Sequence, residues 1–188
     1  MEYAPYIENF NSILSKIKIF GKEGNEMSFQ EALRNVFSYF NQCKLEDKFI
    51  YLIGNGGSNA IISHLSVDLI KACHLKAFPI TDSSILTCYA NDYGYANVFS
   101  QLLEKLMRQG DMLIAVSSSG ESDNIVNAVS KFSVNNTNPI VTLTAFHKFN
   151  RVMKSGDVNF WLDTMDYGFA EIGHALILHY LTDIYRLR

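Results

Sequence analysis

Phe49-Ile50-Tyr51-Leu52-Ile53-Gly54-Asn55-Gly56-Gly57-Ser58 decides the reading of this chain. Five consecutive apolar residues suit a strand buried on both faces, and they run straight into a glycine-rich turn. The residues after Ser58 resume at helical spacing, so the stretch reads as strand, tight loop, helix. Glycine removes the Cβ atoms that would keep an anion from the backbone N–H groups, and a helix start carries partial positive charge. The loop is incomplete as a dinucleotide fingerprint, because Asn59 stands where G-x-G-x-x-G needs its third glycine. It is not a phosphate-binding Walker loop either, since no Gly-Lys-Ser/Thr follows. A tight turn that needs glycine for its backbone angles explains this loop alone about as well as a ligand site does.

The same arrangement recurs downstream. Met112-Leu113-Ile114-Ala115-Val116 leads into Ser117-Ser118-Ser119-Gly120-Glu121-Ser122 and then a helical pattern from Asp123. Hydroxyls and amides at a helix start suit a phosphate dianion. Ser118-x-x-Glu121 also fits a capping box, which one serine would satisfy. Four serines around one glycine exceed that need and favour anion binding.

Outward from these loops lie three more apolar runs, 76–80, 140–144 and 158–162, giving five strands. Amphipathic segments near 58–74, 84–108, 121–134 and 147–155 separate them, and an apolar helix near 168–187 closes the chain. Alternation of this kind predicts an α/β fold, a parallel sheet with helices on both faces and ligands at the carboxyl ends of its strands. Residues 1–45 read as a leading helical segment of a single domain spanning 1–188. Its first helix is expected over Tyr6 to Phe20, closed by Gly21 and Gly24. Its second should start at an N-cap, Ser28, with Glu31 three residues on, and run to about Cys43.

Composition narrows the function. Sixteen Lys and Arg against nineteen Asp and Glu leave a net charge of −3, with no basic surplus for a nucleic acid or an anionic membrane. No apolar stretch approaches the length of a membrane span, and Met1-Glu2-Tyr3-Ala4-Pro5 has no signal-peptide pattern, so a cytoplasmic location is expected. Cys43, Cys73 and Cys88 lack both disulfide pairing and metal spacing, and read as small buried hydrophobes.

Two helices carry residues suited to chemistry. His64 and Asp68, four apart after the glycine loop, project from one helix face, as two metal ligands or an acid and a base would. A hydrogen-bonded surface pair is the commoner meaning of an isolated H-x-x-x-D. The last helix carries Glu171, His174 and His179 among apolar residues, where unpaired polar groups are costly. Glu171 and His174, three apart, suit a di-iron-type pair, whereas Glu171 and His179 lie about 80° apart around the axis, two turns on. Helical geometry leaves both pairings open.

Taken together, the glycine loop, the serine loop, the intervening Asn91-Asp92-Tyr93-Gly94 and Phe99 resemble the sugar isomerase (SIS) fold of phosphosugar isomerases and binding proteins. Within that fold the spacing is similar to the phosphoheptose isomerases over nearly the whole chain. The resemblance implies a three-layer, doubly wound, five-stranded parallel sheet of flavodoxin-like order. It implies a divalent metal, commonly zinc, held by His64, Asp68, Glu171 and His179, with Asp68 and His179 as the acid–base pair. Asp68 stands where the family has Glu, and Glu171 where it has Gln. Gly168 stands where it has an acidic residue, and Ala72, beside Lys71, where it has arginine.

By the same resemblance, Asn55, Gly56, Gly57, Ser58, Ser117, Ser118, Ser119 and Ser122 bind the phosphate end of the substrate and Asp92 lies near the sugar. The implied reaction converts sedoheptulose 7-phosphate to D-glycero-D-manno-heptose 7-phosphate through a cis-enediol, for lipopolysaccharide or capsule. A homotetramer with sites completed across subunits is implied too. The rival expectation is a phosphosugar-binding regulator or scaffold of the same fold without turnover, which metal content would distinguish.

Overall fold

In the computed structural model, which describes residues 2–134 and 138–188, helix α1 (Tyr3–Ser15) is shorter than its spacing predicts. Lys18–Gly21 forms strand β1 instead, and Glu26–Met27 forms β2, antiparallel to it. Lys16-Ile17-Lys18-Ile19 fits a period of two as well as a helix, and the branched residues favour the strand once an edge is offered. Gly21 and Gly24 therefore close a hairpin, with Gly24 at φ +78°. Helix α2 (Phe29–Leu45) starts as expected, the Ser28 hydroxyl accepting from the Glu31 N–H at 3.2 Å.

The apolar runs then form β3 (Phe49–Gly54), β4 (Lys76–Pro79), β5 (Met112–Ser117), β6 (Ile140–Thr144) and β7 (Val158–Trp161). Helix α3 (Gly56–Lys71) joins β3 to β4, α6 (Asp123–Ser133) follows β5, and α7 (Tyr167–Arg186) closes the fold. The segment 84–108 is not one helix. It divides into α4 (Ser83–Tyr93), a 3₁₀ turn (Tyr95–Asn97) and α5 (Val98–Leu106), because Gly94 turns the chain at φ +76°.

Nor is 147–155 helical. Phe146 and Phe149 are left-handed at φ 57° and 61°. The amides of Arg151 and Val152 go to the Glu121 carboxylate and the Gly120 carbonyl, both 3.0 Å away, instead of to a preceding turn. The crossover thereby braces the serine loop.

Among the described residues the sheet has seven strands in the order β2-β1-β7-β6-β5-β3-β4. The five strands from β7 to β4 are parallel, and β1 pairs antiparallel with β7. Counted in chain order, the parallel five follow the flavodoxin-like 2-1-3-4-5 order, whose switch point lies between β3 and β5. Alternate residues feed two cores. Ile50, Leu52, Ile114 and Val116 pack on α2, α3 and α7, while Tyr51, Ile53, Leu113 and Ala115 pack on α5 and α6. Cys43 and Cys73 are buried as expected, but Cys88, on α4, is exposed.

Candidate active site

The switch point puts the glycine loop and the serine loop side by side, because β3 and β5 are hydrogen-bonded neighbours ending at Gly54 and Ser117. At Gly54 a Cβ would fall 2.9 Å from the Ser58 backbone, so only glycine lets α3 begin this close to the strand. Gly56 takes φ +52° and aims the loop back over the sheet. In the second loop Gly120, at φ +65°, curls the chain so that its N–H reaches the Ser117 hydroxyl and the Glu121 N–H reaches the Ser119 hydroxyl, each at 3.2 Å. The capping box suggested by Ser118-x-x-Glu121 is not formed, because α6 starts later, with Ser122 at its N-cap. The Ser118 hydroxyl oxygen is buried and has no hydrogen-bond partner among the described residues.

Between the loops lies a cleft of about 250 Å³ lined by Asn55, Gly56, Gly57, Ser58, Ser117, Ser118, Ser119, Ser122, Tyr167 and Glu171. The eight residues expected to bind the phosphate thus line one space. Tyr167, which the sequence reading missed, stands at its rim against the Phe146 ring, with centroids 4.8 Å apart. Its only sequence signal is its place at the start of the last helix.

A second group forms where α3 packs on α7. His64 Nε2 lies 4.0 Å from Asp68 Oδ2, and His179 Nδ1 lies 3.1 Å from the same oxygen. One ligand atom from each residue falls within 4.8 Å of the others, and this is the one such group among the described residues. Asp68 Oδ2 is buried yet accepts no well-aligned hydrogen bond, although two imidazole nitrogens are close. Such an orphaned carboxylate oxygen, flanked by two imidazole nitrogens, fits a divalent cation. The adjoining cleft, about 300 Å³, is walled by Ile61, Leu65 and Leu178.

Glu171 is placed differently. A Cβ on Gly57 would fall 2.3 Å from its Oε1, so its carboxylate covers the glycine loop. Eight residues of α7 separate it from His179, a rise of about 12 Å. His174 is fully buried, and among the described residues neither ring nitrogen makes a well-aligned hydrogen bond and the residue belongs to no ligand group. Burial pushes its pKa down to about 4, only partly offset by the nearby Thr144 backbone. Asp92 ends α4 on the surface, accepting from Asn91 Nδ2 at 3.1 Å, and lines neither cleft.

The profile of the SIS domain family matches residues 6–141. A phosphoheptose isomerase from Coxiella burnetii is 34% identical over 152 residues, 77% of this chain and 76% of that protein. The chain belongs to the SIS domain family and, within it, to the phosphoheptose isomerases. It is an isomerase by that membership.

Solved structures agree. The phosphoheptose isomerase GmhA of Neisseria gonorrhoeae superposes with a TM-score of 0.79 at 26% identity, covering 97% of this chain and 95% of that one. A phosphoheptose isomerase from Francisella tularensis gives 0.82 at 20% identity over the full length of both chains, a likeness of fold. Among the described residues no helix is long and apolar enough to cross a membrane.

Proposed function

We propose that this isomerase interconverts sedoheptulose 7-phosphate and D-glycero-D-manno-heptose 7-phosphate in the cytoplasm, for lipopolysaccharide or capsule. The observation that carries the reading is the convergence of His64, Asp68 and His179, one group from two helices, in a chain whose glycine and serine loops line a second cleft where α3 begins. The serine and glycine loops hold the phosphate through hydroxyls and N–H groups, with Ser118 supplying an unused hydroxyl. Binding energy from that remote end positions the reacting carbons.

His64, Asp68 and His179 would hold zinc, which would supply a Lewis acid for the enediolate oxygens; Glu171, expected as a fourth ligand, instead covers the glycine loop in this chain. Asp68 takes the proton from the carbon beside the carbonyl and His179 returns one to its neighbour. Asp68 is one methylene shorter than glutamate, so its carboxylate sits about 1.5 Å further back, and the substrate must lie correspondingly deeper against α3. Asp92 lines neither cleft of one chain, and we propose that a second copy in a homotetramer completes the sugar end of the site.

The test is direct. The purified protein is incubated with sedoheptulose 7-phosphate, with zinc and after chelation, and the aldose is followed by NMR. Metal-dependent appearance of the aldoheptose phosphate is expected. No turnover, with phosphate still raising the melting temperature, would overturn the substrate assignment in favour of another sugar phosphate or of binding alone.

A further inference from the structure

A closed ring of side chains joins the two loops through a third element. Asn55, at the start of α3, makes no capping bond of its own. Its amide is paired reciprocally with that of Asn124 in the first turn of α6, each Nδ2 donating to the other's Oδ1 at 2.9 Å. The Tyr95 hydroxyl donates to Asn55 Oδ1 as well, at 3.0 Å. Tyr95 is held in turn, because Asn127, one α6 turn beyond Asn124, donates to the Ala96 carbonyl at 2.9 Å. Asn124 is 2% exposed, and its Oδ1 also accepts from the Ile125 N–H at 3.0 Å.

An amide offers two acceptor positions and two N–H donors. Both acceptor positions of Asn55 are filled, by Asn124 and Tyr95, and one donor is used. One N–H is left without a partner among the described residues, on a residue that lines both the serine-loop cleft and the cleft beside Tyr95. With its carbonyl end engaged twice, the amide is held with nitrogen, not oxygen, available to an anion. An unrestrained asparagine would present either end and would lose rotamer freedom on binding.

We propose that Tyr95 and Asn124 are positioning residues for the phosphate: they lock the Asn55 amide so that its free N–H serves the anion. This rests on the phosphosugar reading above. The 3₁₀ turn after α4 thereby becomes part of the site without touching its ligand.

Calorimetric titration with inorganic phosphate tests it on the full chain. Tyr95 is 59% exposed, so Tyr95→Phe leaves the fold undisturbed. It should weaken phosphate about three- to tenfold, the effect of one hydrogen bond. In an Asn55→Ala background, where the serine loop still binds, Tyr95→Phe should change nothing further. With the sugar phosphate, Tyr95→Phe should raise KM by a similar factor and leave kcat within about twofold. Unchanged phosphate affinity in Tyr95→Phe, or an equal loss with and without Asn55, overturns the positioning role alone. Failure of the unsubstituted protein to bind phosphate overturns the phosphosugar reading and this inference with it.

Discussion

Asp68 carries more of the proposed chemistry than any other single side chain, since its Oδ2 faces both His64 and His179. Asp68→Asn keeps the shape and removes the base, and should lower turnover at least about 100-fold, while Asp68→Glu restores the family's reach and should retain activity. Steady-state assays of both variants check this, and full turnover by Asp68→Asn would remove Asp68 from the base role. His174 acts on stability instead. Its folded pKa of about 4 lies below the ordinary histidine value, so the unfolded chain binds the extra proton first as pH falls. Stability is complete above about pH 6.5 and declines towards pH 4, by up to about 3 kcal/mol, then levels off. Urea denaturation across that window should show the decline, and His174→Phe should flatten it. At this scale the sequence was informative where spacing within one helix brings groups together, as for His64 and Asp68. It was silent where tertiary packing decides, since nothing in the order of residues announces that Glu171 covers Gly57 or that Asn124 meets Asn55.

The serine loop holds its curl through contacts that no single helix or strand contains. A Cβ on Gly120 would fall 2.0 Å from Asn150 Oδ1. Asn150 cannot yield easily, because its side chain donates to the His147 carbonyl at 3.1 Å and accepts from the Met153 N–H at 3.2 Å. Gly120→Ala adds a strained left-handed alanine to that clash and should cost about 3 kcal/mol. Thermal denaturation with and without phosphate measures it, and an undiminished melting temperature would show the crossover 147–155 to be a passive neighbour. The central parallel strands β3, β5, β6 and β7 were legible because strands buried on both faces are short, nearly continuous apolar runs, while the edge strand β4 was read from a weaker one. The β1–β2 hairpin was not, since Ile17, Ile19 and Phe20 satisfy a helix and a strand alike, and only the open edge of β7 decides between them. The crossover looked amphipathic for a related reason: its apolar residues do face a core, but its amides are already committed to the serine loop.

For the molecule as a whole, the surface of α7 matters most. Ile172, Leu176 and Tyr180 recur every fourth residue and are 51%, 50% and 43% exposed, a stripe alongside His179. Apolar stripes of this length on a helix seek a partner. Covered by other copies of the chain, the stripe would bring a second subunit to the mouth of the candidate metal site. Light scattering should therefore give a tetramer, and Leu176→Glu should dissociate it and depress turnover together, whereas a monomeric, fully active parent protein would exclude a shared site.

The hairpin has a consequence in time. Lys18 and Gly21 pair with Trp161 and Val158, so β1 must wait for a strand made far later in the chain before it finds its place in the sheet. Contacts of such long sequence separation form slowly. Until β7 is made, the edge of Lys18-Ile19-Phe20 that faces away from β2 lacks its partner. Lys18 and Lys22 stand at the two ends of that edge, charges of the kind that discourage pairing between copies before β7 claims the strand.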